Sequence, residues 1–524
     1  MVPRRFELRT SALSERRSSQ AELRDRDGIN PGRFYKPSYA QIFVQTTTIP
    51  VISKDAVIDL ALDTLAKKKQ ALVFVNTKRS AEKEAESIAA KVSKTQQALA
   101  EQIRSVLPHP TKQCERLAKC VAHGIAFHHA GLHAKQRHFV EDGFRDGRVS
   151  IICCTPTLAA GLDLPAFRVI IRDVKRYGNY GMDYIPVLEY HQMAGRAGRP
   201  SYDTYGEAIA IAKTEPEADH ILDEYVNGMP ENILSKLAVE PVLRTYVLSL
   251  VATHMAHTEQ ELLDFFSKTF WAHQFGDLEK LQRIISDTVL LLQEIGMLQG
   301  AQATRLGQRV AQLYIDPLSA HTLRTNLKPG MQPLKQLYML CTCTEMKPLF
   351  RMREKEFTDI ETEGVSSELD EYFEEDYYNT LKTACVLNDY INEKDEANIL
   401  ERRNIAPGEL HGKLERANWL CYAASEIAKI TTQKELHRAL FKLRMRLRYG
   451  VQEELLNLIR FKGIGRIRAR KLFNQGIRGV ADVKKAAFSE LNNILGHKIA
   501  TELKAQVGER IKASPQRHRN HSAF

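Results

Sequence analysis

The stretch that decides the fold is Val149–Pro165, which has the sequence VSIICCTPTLAAGLDLP. An apolar run over Ile151–Cys154 is followed by a Thr-Pro turn and then by small residues that suit the start of a helix. A short apolar run without alternating polar residues is typical of a strand that is buried on both faces. The stretch therefore predicts a buried strand, a turn and the beginning of a helix.

Similar short apolar runs lie on both sides of this stretch. Before it, Ala71–Glu82 passes from an apolar strand into a basic turn and a helix start, and Gly124–Leu132 is a strand that ends in a loop. After it, Phe167–Asp173 is a further strand. Short apolar strands that alternate with helices predict an α/β domain with a parallel sheet covered by helices.

A second informative stretch, His191–Pro200, has the sequence HQMAGRAGRP and carries two arginines three residues apart, Arg196 and Arg199. The spacing predicts that both guanidinium groups lie on one face of a short helix. An arginine fork binds phosphate oxygens bidentately and keeps its charge at any working pH. The pattern therefore favours a phosphate-binding role, and an ordinary pair of surface arginines is the alternative.

Taken in this order, the segments resemble the second RecA-like motor domain of superfamily 2 helicases. The stretch around Thr77 is similar to motif IV, Thr155–Asp163 is similar to motif V, and Gln192–Arg199 has the motif VI form Q-x-x-G-R-A-G-R. The resemblance is specific because the three motifs occur in the right order and on suitable elements. It implies an ATP site at a cleft with a first motor domain.

The resemblance implies one set of residues that faces the nucleotide and another that faces the nucleic acid. Arg196 and Arg199 would be the catalytic arginines that reach the γ-phosphate of ATP, and Gln192 would orient the phosphate or the water. The other nucleotide-binding residues would be Gly161, Asp163 and Gly195. The strand backbone would be contacted by Thr77, Lys78, Arg79, His129, Gly131 and Thr155.

Two motifs that a helicase needs are absent from the 524 residues, the phosphate-binding loop G-x-x-x-x-G-K-[ST] and an acidic motif that holds Mg²⁺. Asp395–Asn398 imitates the acidic motif, but it lies in a polar helical stretch with no preceding apolar strand. We therefore expect the C-terminal portion of a helicase. ATP and Mg²⁺ would belong to the complete enzyme, with Mg²⁺ held by the first motor domain. A truncated gene and a separately encoded first motor domain both remain open.

The stretch between motifs V and VI, Val174–Tyr184, contains two glycines and an asparagine among aromatic residues. This composition favours a hairpin turn. In the Ski-type branch of the superfamily, which this part of the chain resembles, a β-hairpin at this position splits the duplex. The resemblance implies that Tyr177 and Tyr180 stack on DNA bases. A surface loop whose tyrosines pack on the domain is the alternative.

The remainder of the chain is predicted to be mostly helical. The stretch 229–305 resembles the winged-helix domain that follows the motor in the same branch. Further on, Glu409–Ile430 resembles the ratchet helix of archaeal Hjm-type fork helicases. There Trp419 would stack on a base, and Lys413 or His411 would substitute for a basic residue that the family has at the position of Gly412. A buried core tryptophan is the alternative for Trp419.

Near the C-terminus, Leu458–Phe473 has a helix–hairpin–helix pattern. Gly463 and Gly465 bracket an isoleucine and permit a tight turn, whose backbone N–H groups can bind a phosphate without recognising sequence. Further DNA contacts are predicted for Arg466, Arg468 and Arg470. Such contacts release counterions, so binding should weaken as salt rises. A protein-contact module with a basic rim is the alternative.

Composition agrees with an intracellular, multidomain protein that binds an anionic partner. The net charge is +11, the eight cysteines lack metal-ligand spacing, and no apolar run is long enough to cross a membrane. We therefore expect reduced cysteines, a cytoplasmic location and no bound structural metal. The predicted domains are a disordered, non-homologous extension (1–33), the second RecA-like domain (34–228), a winged helix (229–305), a helical ratchet domain (306–450), a helix–hairpin–helix domain (451–512) and a disordered tail (513–524).

The sequence thus predicts an α/β RecA-like motor domain followed by mostly α domains. By resemblance, residues from about 34 to 512 are the C-terminal portion of an archaeal Hjm-type, ATP-dependent 3′–5′ DNA helicase that unwinds forked DNA in replication-coupled repair. The isolated chain is expected to be a monomer that binds single-stranded and forked DNA without hydrolysing ATP. An RNA helicase of the Ski or Mtr type and a non-enzymatic DNA-binding module are the alternatives.

Overall fold

The structure is a computed structural model that describes residues 5–12, 41–93, 96–107, 110–161, 163–178, 181–199, 202–237, 241–353, 356 and 374–508. The chain divides into two compact units. The first comprises Met1–Ile233 with Ala406–Gly408, and the second comprises Leu234–Ile405 with Glu409–Phe524. Among the described residues, no helix combines the length and the apolar character needed to cross a membrane.

The first unit is built around one sheet with a separate hairpin. The strands of the sheet are β1 (Arg5–Ala12), β2 (Gln41–Thr48), β3 (Ala71–Phe74), β4 (Ile125–His128), β5 (Ile151–Cys154), β6 (Arg168–Ile171) and β9 (Tyr205–Ala210). The hairpin pairs β7 (Lys175–Gly178) with β8 (Gly181–Tyr184). The described strands of the sheet lie in the order β2-β1-β9-β6-β3-β5-β4.

Five neighbouring strands of this sheet, β9, β6, β3, β5 and β4, run parallel. In their register, Ala71 of β3 lies opposite Ile151 of β5 and Arg168 of β6. Every residue of β3, β4, β5 and β6 is buried, as expected for strands of a parallel sheet whose two faces are covered by helices. The prediction of a parallel α/β sheet is therefore confirmed.

The other edge of the sheet is antiparallel. Strand β1 pairs with β9, and β2 pairs with β1. Because β1 lies inside 1–33, the structure differs there from the predicted disordered extension. Strand β9 pairs with β6 on one side. The backbone groups of its other edge pair with β1. The remaining residues of 1–33 lie outside the described residues.

Helices connect the strands of the first unit. They are α1 (Ala56–Ala66), α2 (Lys78–Ala89), α3 (Gln97–Arg104), α4 (Lys112–Ala122), α5 (Ala134–Arg145), α6 (Thr157–Gly161), α7 (Val187–Ala194) and α8 (Glu215–His220), followed by a π-helical turn over Ile221–Val226. Side-chain caps start several of them. Thr77 and Thr111 each accept a hydrogen bond from a backbone N–H in the first turn of α2 and α4, which satisfies a donor that the helix itself leaves unpaired.

The second unit is mainly helical. Its helices are α9 (Val242–Ala252), α10 (Glu259–Phe266), α11 (Phe270–Phe275), α12 (Leu278–Glu294), α13 (Arg305–Leu313), α14 (Pro317–Asn326), α15 (Pro333–Cys341), α16 (Glu374–Ile391), α17 (Glu396–Arg402), α18 (Pro407–Ile430), α19 (Lys434–Tyr449), α20 (Leu456–Ile459), α21 (Arg466–Asn474), α22 (Val480–Lys485), α23 (Phe488–Leu495) and α24 (His497–Gln506). A small antiparallel pair joins β10 (Leu298–Gln299) to β11 (Gln302–Ala303). The assignment of 229–305 to a winged helix stays a prediction.

All eight cysteines are buried and free of disulfide bonds. Four lie in the first unit, at Cys114, Cys120, Cys153 and Cys154, and four lie in the second, at Cys341, Cys343, Cys385 and Cys421. Burial raises the pKa of the Cys120 and Cys421 thiols to about 12. These cysteines therefore behave as small apolar residues of the two interiors. The predicted tail, 513–524, lies outside the described residues.

Candidate nucleotide and DNA-binding sites

The two motif VI arginines follow a helix rather than lying on it. Helix α7 ends at Ala194, and Gly195 takes the capping position just beyond it. Arg196 and Arg199 therefore lie in the loop after α7, which corrects the prediction that both guanidinium groups share one helix face. The physical reason is Gly198, whose φ of +90° is incompatible with a continuing right-handed helix.

This loop is fixed to the sheet by Ala166, two residues before β6. The N–H of Ala166 donates a 2.9 Å hydrogen bond to the carbonyl of Arg196, and the N–H of Gly198 donates a 2.7 Å bond back to the carbonyl of Ala166. Ala197, between these two residues, forms a parallel β-bridge with Ala166. The backbone that carries Arg196 is therefore held as firmly as a short strand.

The Arg196 side chain joins motif VI to motif V. Its Nε donates a 3.1 Å hydrogen bond to the carbonyl of Ala159 in α6, and Nη2 donates to the same oxygen. Its Nη1 lies 3.4 Å from Oδ1 of Asp163, whose side chain is 95% exposed. One side of the guanidinium group is thus oriented by a backbone carbonyl, while the other meets only a solvated carboxylate, to which binding is weak.

Arg199 has different partners. Its Nε and Nη2 donate hydrogen bonds of 2.7 and 3.2 Å to the two carboxylate oxygens of Asp203, and its Nη1 donates a 2.7 Å bond to Oε1 of Gln70. Lys69 lies 2.6 Å from the same carboxylate. In this structure Arg199 is therefore engaged within its own unit, and its predicted contact with the γ-phosphate stays a prediction.

Asp203 was not singled out from the sequence, although it stands four residues after Arg199. Its side chain is 1% exposed. Burial raises the pKa of its carboxyl group, but hydrogen bonds from Arg199 and Lys69 outweigh this effect and lower the pKa below its usual value of 3.8. Asp203 is therefore ionised at neutral pH and holds both cations in place.

Gly206, in β9, is a second residue that sequence reasoning missed. A Cβ atom there would lie 2.2 Å from the backbone nitrogen of Gly198 and 2.5 Å from the carbonyl carbon of Ala197. Only glycine lets β9 pass so close to the motif VI loop. A signal was available, because a glycine inside an apolar strand often marks a close approach of two backbones.

The remaining residues of the predicted nucleotide side are open to solvent. Gln192, Gly161 and Gly195 are exposed, and a Cβ atom at Gly161 would have no neighbour within 4 Å. Within the part of the chain that the structure describes, no three or more His, Cys, Asp or Glu side chains are grouped so that they could hold a metal ion. The nucleotide-binding role of these residues stays a prediction.

Residues of the predicted DNA side follow neighbouring strands of the sheet. Thr77 follows β3, His129 follows β4 and Thr155 follows β5, and these three strands are adjacent and parallel. The segments after them therefore meet at one edge of the sheet. Thr77 and Arg79 are exposed there, whereas Lys78 is half-buried. The structure thus brings the predicted strand-contacting segments together.

Two hydroxyl groups at this edge have local partners. The Oγ1 of Thr77 caps α2 by accepting a 3.0 Å hydrogen bond from the N–H of Ser80. The Oγ1 of Thr155 lies 2.9 Å from that of Thr157, the first residue of α6. Thr155 therefore borders directly on the helix whose carbonyl at Ala159 holds Arg196. A nucleic acid at this edge would contact the start of α6.

His129 differs from its predicted role as a contact to the strand backbone. Its side chain is fully buried, and its Nδ1 accepts a 3.1 Å hydrogen bond from the N–H of Gly131. Because Nδ1 is the acceptor, Nε2 carries the proton and donates it over 3.2 Å to Oε1 of Glu82. Gly131 is buried as well. The two residues therefore shape the loop after β4 from inside, which corrects the prediction of direct contact.

Glu82, in α2, is the partner that sequence reasoning overlooked. Burial raises the pKa of its carboxyl group, but hydrogen bonds with His129 and Gln113 outweigh this effect and lower the pKa to about 2. Arg116 forms an ion pair with the same carboxylate. No local sequence signal pairs Glu82 with His129, because 47 positions separate them and only the packing of α2 beside β4 brings them together.

The predicted hairpin between motifs V and VI is confirmed as the antiparallel pair β7–β8. Its register places Tyr177 opposite Met182 and Gly178 opposite Gly181. The side chain of Tyr177 and all of Tyr180 lie outside the described residues. Their stacking on DNA bases stays a prediction.

In the second unit, Lys413 differs from its predicted role as a DNA contact. It is buried, and its Nζ donates to the carbonyl of Met346 and, over 2.6 Å, to that of Pro348. Burial, reinforced by the neighbouring Arg416, lowers the pKa of Lys413 to about 8. Lys413 therefore ties helix α18 to the loop after α15, which corrects the predicted backbone contact.

Trp419, also in α18, is neither a fully buried core residue nor a fully exposed one. Its side chain is half-buried and packs against the apolar core of the second unit. Its Nε1 donates a 3.1 Å hydrogen bond to the carbonyl of Leu313, the last residue of α13. The indole orientation is thus fixed by the protein itself. Stacking on a base stays a prediction for the exposed part of the ring.

The helix–hairpin–helix pattern corresponds to α20, a turn and α21. Gly463 has a φ of +86°, in the left-handed region, and Gly465 occupies the position before the first residue of α21. Arg468 is exposed, and its Nη1 donates a 2.7 Å hydrogen bond to the carbonyl of Gly463. Both glycines are exposed too. The turn therefore keeps the geometry that the sequence predicted.

Two of the three predicted arginine contacts in this region are engaged elsewhere. Arg470 donates to both carboxylate oxygens of Glu393 over 2.8 and 2.9 Å and to Glu454 over 2.6 Å. These hydrogen bonds raise its pKa and neutralise its charge locally. Arg466 is half-buried and donates a 2.6 Å bond to the carbonyl of Lys394. The prediction of a phosphate contact is therefore corrected for Arg470 and weakened for Arg466.

Two family models match this chain in the regions described above. Residues 53–201 match the helicase conserved C-terminal domain, a range that covers the parallel strands β3 to β6 together with motifs IV to VI. Residues 334–450 match domain 4 of archaeal helicases, which covers helices α15 to α19. The two matches agree with an α/β motor domain that is followed by a helical bundle.

The chain is also similar to three curated proteins named ATP-dependent DNA helicase Hel308. It is 39% identical over 497 residues to the protein of Methanocella arvoryzae, covering 89% of this chain and 67% of the relative. For Pyrococcus abyssi the identity is 40% over 480 residues, covering 87% and 66%. For Methanococcus vannielii it is 35% over 517 residues, covering 87% and 69%. The chain spans about two thirds of the length of these relatives, and it belongs to the Hel308 family of ATP-dependent DNA helicases.

Proposed function

We propose that this chain supplies the arginine side of the ATP site and much of the DNA path of a 3′–5′ DNA helicase that unwinds forked DNA in replication-coupled repair. Its relatives are named ATP-dependent DNA helicases, which supports DNA over the RNA alternative. The observation that carries the proposal is the contact of Arg196 with Ala159, because it links the nucleotide-facing loop to a DNA-facing helix.

The link is short enough to transmit a small movement. Helix α6 has five residues, begins two residues after Thr155 and ends at Gly161. A strand that binds beside Thr155 presses on the start of α6, and Arg196 is held by the carbonyl of Ala159 within the same helical turn. Occupancy of the DNA edge therefore changes the direction in which the guanidinium group points. This is the coupling that a translocating motor requires.

At the nucleotide, Arg196 would act as a positioned cation. Charge that builds up on the transferred phosphoryl group is stabilised by an arginine fork whose orientation is fixed beforehand. The carbonyl of Ala159 fixes the orientation, and the contact with the exposed Asp163 is weak enough to be exchanged for a phosphate. Arg199 would need to leave Asp203 before it could join Arg196.

These 524 residues contain no G-x-x-x-x-G-K-[ST] loop, and we propose that the chain alone binds single-stranded and forked DNA as a monomer and does not hydrolyse ATP. Mg²⁺ would be held by residues of a first motor domain. The second candidate function is a DNA-binding module that never meets a nucleotide. The orientation of the Arg196 guanidinium group by the carbonyl of Ala159 favours the helicase, because a simple DNA-binding module would not need an oriented arginine there.

The test measures DNA-stimulated ATP hydrolysis and fork binding for the purified chain, alone and mixed with the separately produced first motor domain of the Methanocella relative. We expect fork binding without hydrolysis for the chain alone, and hydrolysis for the mixture. Turnover by the chain alone would show that a nucleotide site exists elsewhere. Fork binding with no turnover in a mixture that forms a stable complex would favour the binding module.

A further inference from the structure

Helix α19, Lys434–Tyr449, has two sides of contrasting character. Its buried side carries four leucines of the core of the second unit, Leu436, Leu440, Leu443 and Leu447. Its outer side is not used by that core. Lys434, Arg438, Phe441, Lys442 and Arg448 are all exposed. Together with the buried Arg446, these leucines account for the packing of the helix, and the outer side chains need another explanation.

The outer side has an ordered pattern. Phe441, Met445 and Tyr449 are spaced by four residues, so they form one ridge along the helix. Phe441 is 51% exposed and Met445 is half-buried, whereas Tyr449 packs against the core of the helix–hairpin–helix segment. A large aromatic side chain left in water on a well-packed helix costs solvation free energy without adding to the core. The ridge therefore has the composition of a contact surface.

Cations border this ridge on both sides. Arg438 and Lys442 precede Phe441 and Met445 by three residues, and on a helix residues three apart are surface neighbours. Arg444 and Arg448 follow the same two ridge residues by three. The ridge thus lies between two short rows of positive charge. Glu435 and Glu453 are the acidic residues found at the margin of this surface among the described residues.

Most of these cations remain available. Within the described part of the chain, neither Arg438 nor Arg448 has an acidic partner within ion-pair distance. Lys442 pairs with Glu453 over 2.7 Å, but both side chains are more than half exposed, so salt and competing anions weaken the pair. Arg444 lies 4.4 Å over the ring of Tyr422 and stays partly accessible. This contrasts with Arg470, which two carboxylates neutralise.

The chemistry of this surface fits a single-stranded nucleic acid. Unpaired bases can stack on an aromatic ridge while the phosphates on either side meet cations, and neither contact depends on base identity. A duplex presents phosphates but keeps its bases stacked inside, so it would leave Phe441 without a partner. An acidic protein would bind the cations but would not require an aromatic ridge between them.

We propose that the outer face of α19, formed by Arg438, Phe441, Lys442, Met445 and Arg448, is a sequence-independent binding surface for single-stranded DNA. The proposal rests on the proposed function, because it assigns a further strand contact to a DNA-binding chain. Its residues are different from those predicted to contact DNA after the strands of the sheet and in the helix–hairpin–helix turn. It adds a contact that neither Trp419 nor the motif VI loop supplies.

The experiment measures binding of a fluorescent oligothymidine and of a blunt duplex to the full chain by anisotropy over a series of salt concentrations. Phe441→Ala is expected to weaken strand binding by about fivefold to a hundredfold, the range for one lost base–aromatic stack, and to leave duplex binding unchanged. Phe441→Trp is expected to preserve strand binding, since it keeps a stacking surface.

A double variant tests the cations. Arg438→Glu with Arg448→Glu is expected to weaken strand binding and to reduce the slope of log affinity against log salt by about 1.4, for two lost phosphate contacts to a single strand. The matched control is Lys268→Glu with Lys328→Glu, which makes the same change in net charge at exposed lysines of the same unit. The control should keep the salt slope of the unmodified chain.

The outcomes separate this proposal from the one on which it rests. Failure of the unmodified chain to bind any DNA would overturn the proposed function and this surface with it. Normal strand binding by Phe441→Ala and by the double variant, with thermal unfolding unchanged, would overturn this surface alone. Equal losses for strand and duplex in Phe441→Ala would also overturn it, because stacking on unpaired bases would then play no part.

Discussion

The motif VI loop and the helix–hairpin–helix segment both carry closely spaced arginines, yet their side chains are used in opposite ways. Arg196 is oriented by a carbonyl and otherwise meets one exposed carboxylate. Arg470 is surrounded by Glu393 and Glu454. Both motifs predict phosphate binding from residue type and spacing. The difference shows that the partners an arginine already has decide whether its charge is available.

The same contrast occurs within each region. Arg199 is three residues from Arg196 but is engaged by Asp203 and Gln70. Arg468 is two residues from Arg470 but remains exposed. Each motif therefore contains one arginine that stabilises the fold and one that can meet a ligand. Substitutions that distinguish the two kinds provide the sharpest tests.

The largest effect is expected for Arg196→Ala in an enzyme reconstituted with a first motor domain. Loss of an arginine finger costs about 10³–10⁵ in turnover where it has been measured in NTPases. DNA affinity should stay unchanged, because Arg196 bonds to Ala159 and Asp163 and to none of the residues predicted to contact DNA. ATP hydrolysis and DNA anisotropy on one preparation provide the measurement. Arg148→Ala, which removes an exposed arginine paired with Asp146, is the control. Normal turnover in Arg196→Ala would contradict the assignment of Arg196 as an arginine finger.

A smaller effect is expected for Glu82→Gln, which tests whether the buried pair with His129 serves the fold. The pKa of Glu82 falls from 4.5 to about 2 on folding. The carboxylate therefore contributes about 3 kcal/mol to the free energy of unfolding above pH 4.5, and this contribution is lost as the pH falls toward 2.

The measurement for Glu82 is the urea midpoint of the first unit at a series of pH values. The variant should be less stable than the unmodified chain near neutral pH, and the difference should shrink as the solution is acidified below pH 4.5. Glu101→Gln, at an exposed glutamate of the same unit, should show little difference at any pH. A difference for Glu82→Gln that stays constant with pH would contradict the assignment.

Arg199→Ala is expected to destabilise the first unit by about 1–3 kcal/mol, because it leaves the buried carboxylate of Asp203 with fewer donors. Arg196→Ala should cause much less destabilisation, since its carboxylate partner is solvated. Thermal or urea unfolding of both variants makes the comparison. Equal destabilisation would remove the distinction between the two arginines of motif VI.

The smallest effect is expected in the C-terminal region. Arg468→Ala should reduce the salt slope of single-strand binding by about 0.7, for one lost phosphate contact. Arg470→Ala should leave the salt slope unchanged and lower the melting temperature instead, because it breaks contacts with two glutamates. Anisotropy titrations and thermal melts provide both readouts. The reverse pattern would show that Arg470, and not Arg468, meets the DNA.

The parallel sheet could be predicted because most of its strands are short, largely apolar runs bounded by turn residues, as in Ile151–Cys154. The hairpin β7–β8 could be predicted because glycines mark its turn. In both cases the signal is local. A local pattern of this kind does not depend on which distant residues will become neighbours.

The errors concern residues whose roles are set by distant parts of the chain. Lys413 has the sequence environment of a surface lysine, but it is buried because its Nζ donates to the carbonyls of Met346 and Pro348. His129 lies in a loop after a strand, yet Glu82 from another helix buries it. The helix predicted through Arg196 ends early because Gly198 bonds to Ala166 near another strand. Such pairings are absent from any local window of sequence.

The buried cysteines are internal probes of how often each unit opens. A thiol reacts with a disulfide or maleimide reagent only as an exposed thiolate, and both conditions fail in the folded interior. Labelling must therefore wait for a local or global opening, and its rate reports how often that opening occurs. Since Cys153 and Cys154 belong to the first unit and Cys385 and Cys421 to the second, one labelling experiment followed by peptide mapping would time the opening of the two units independently.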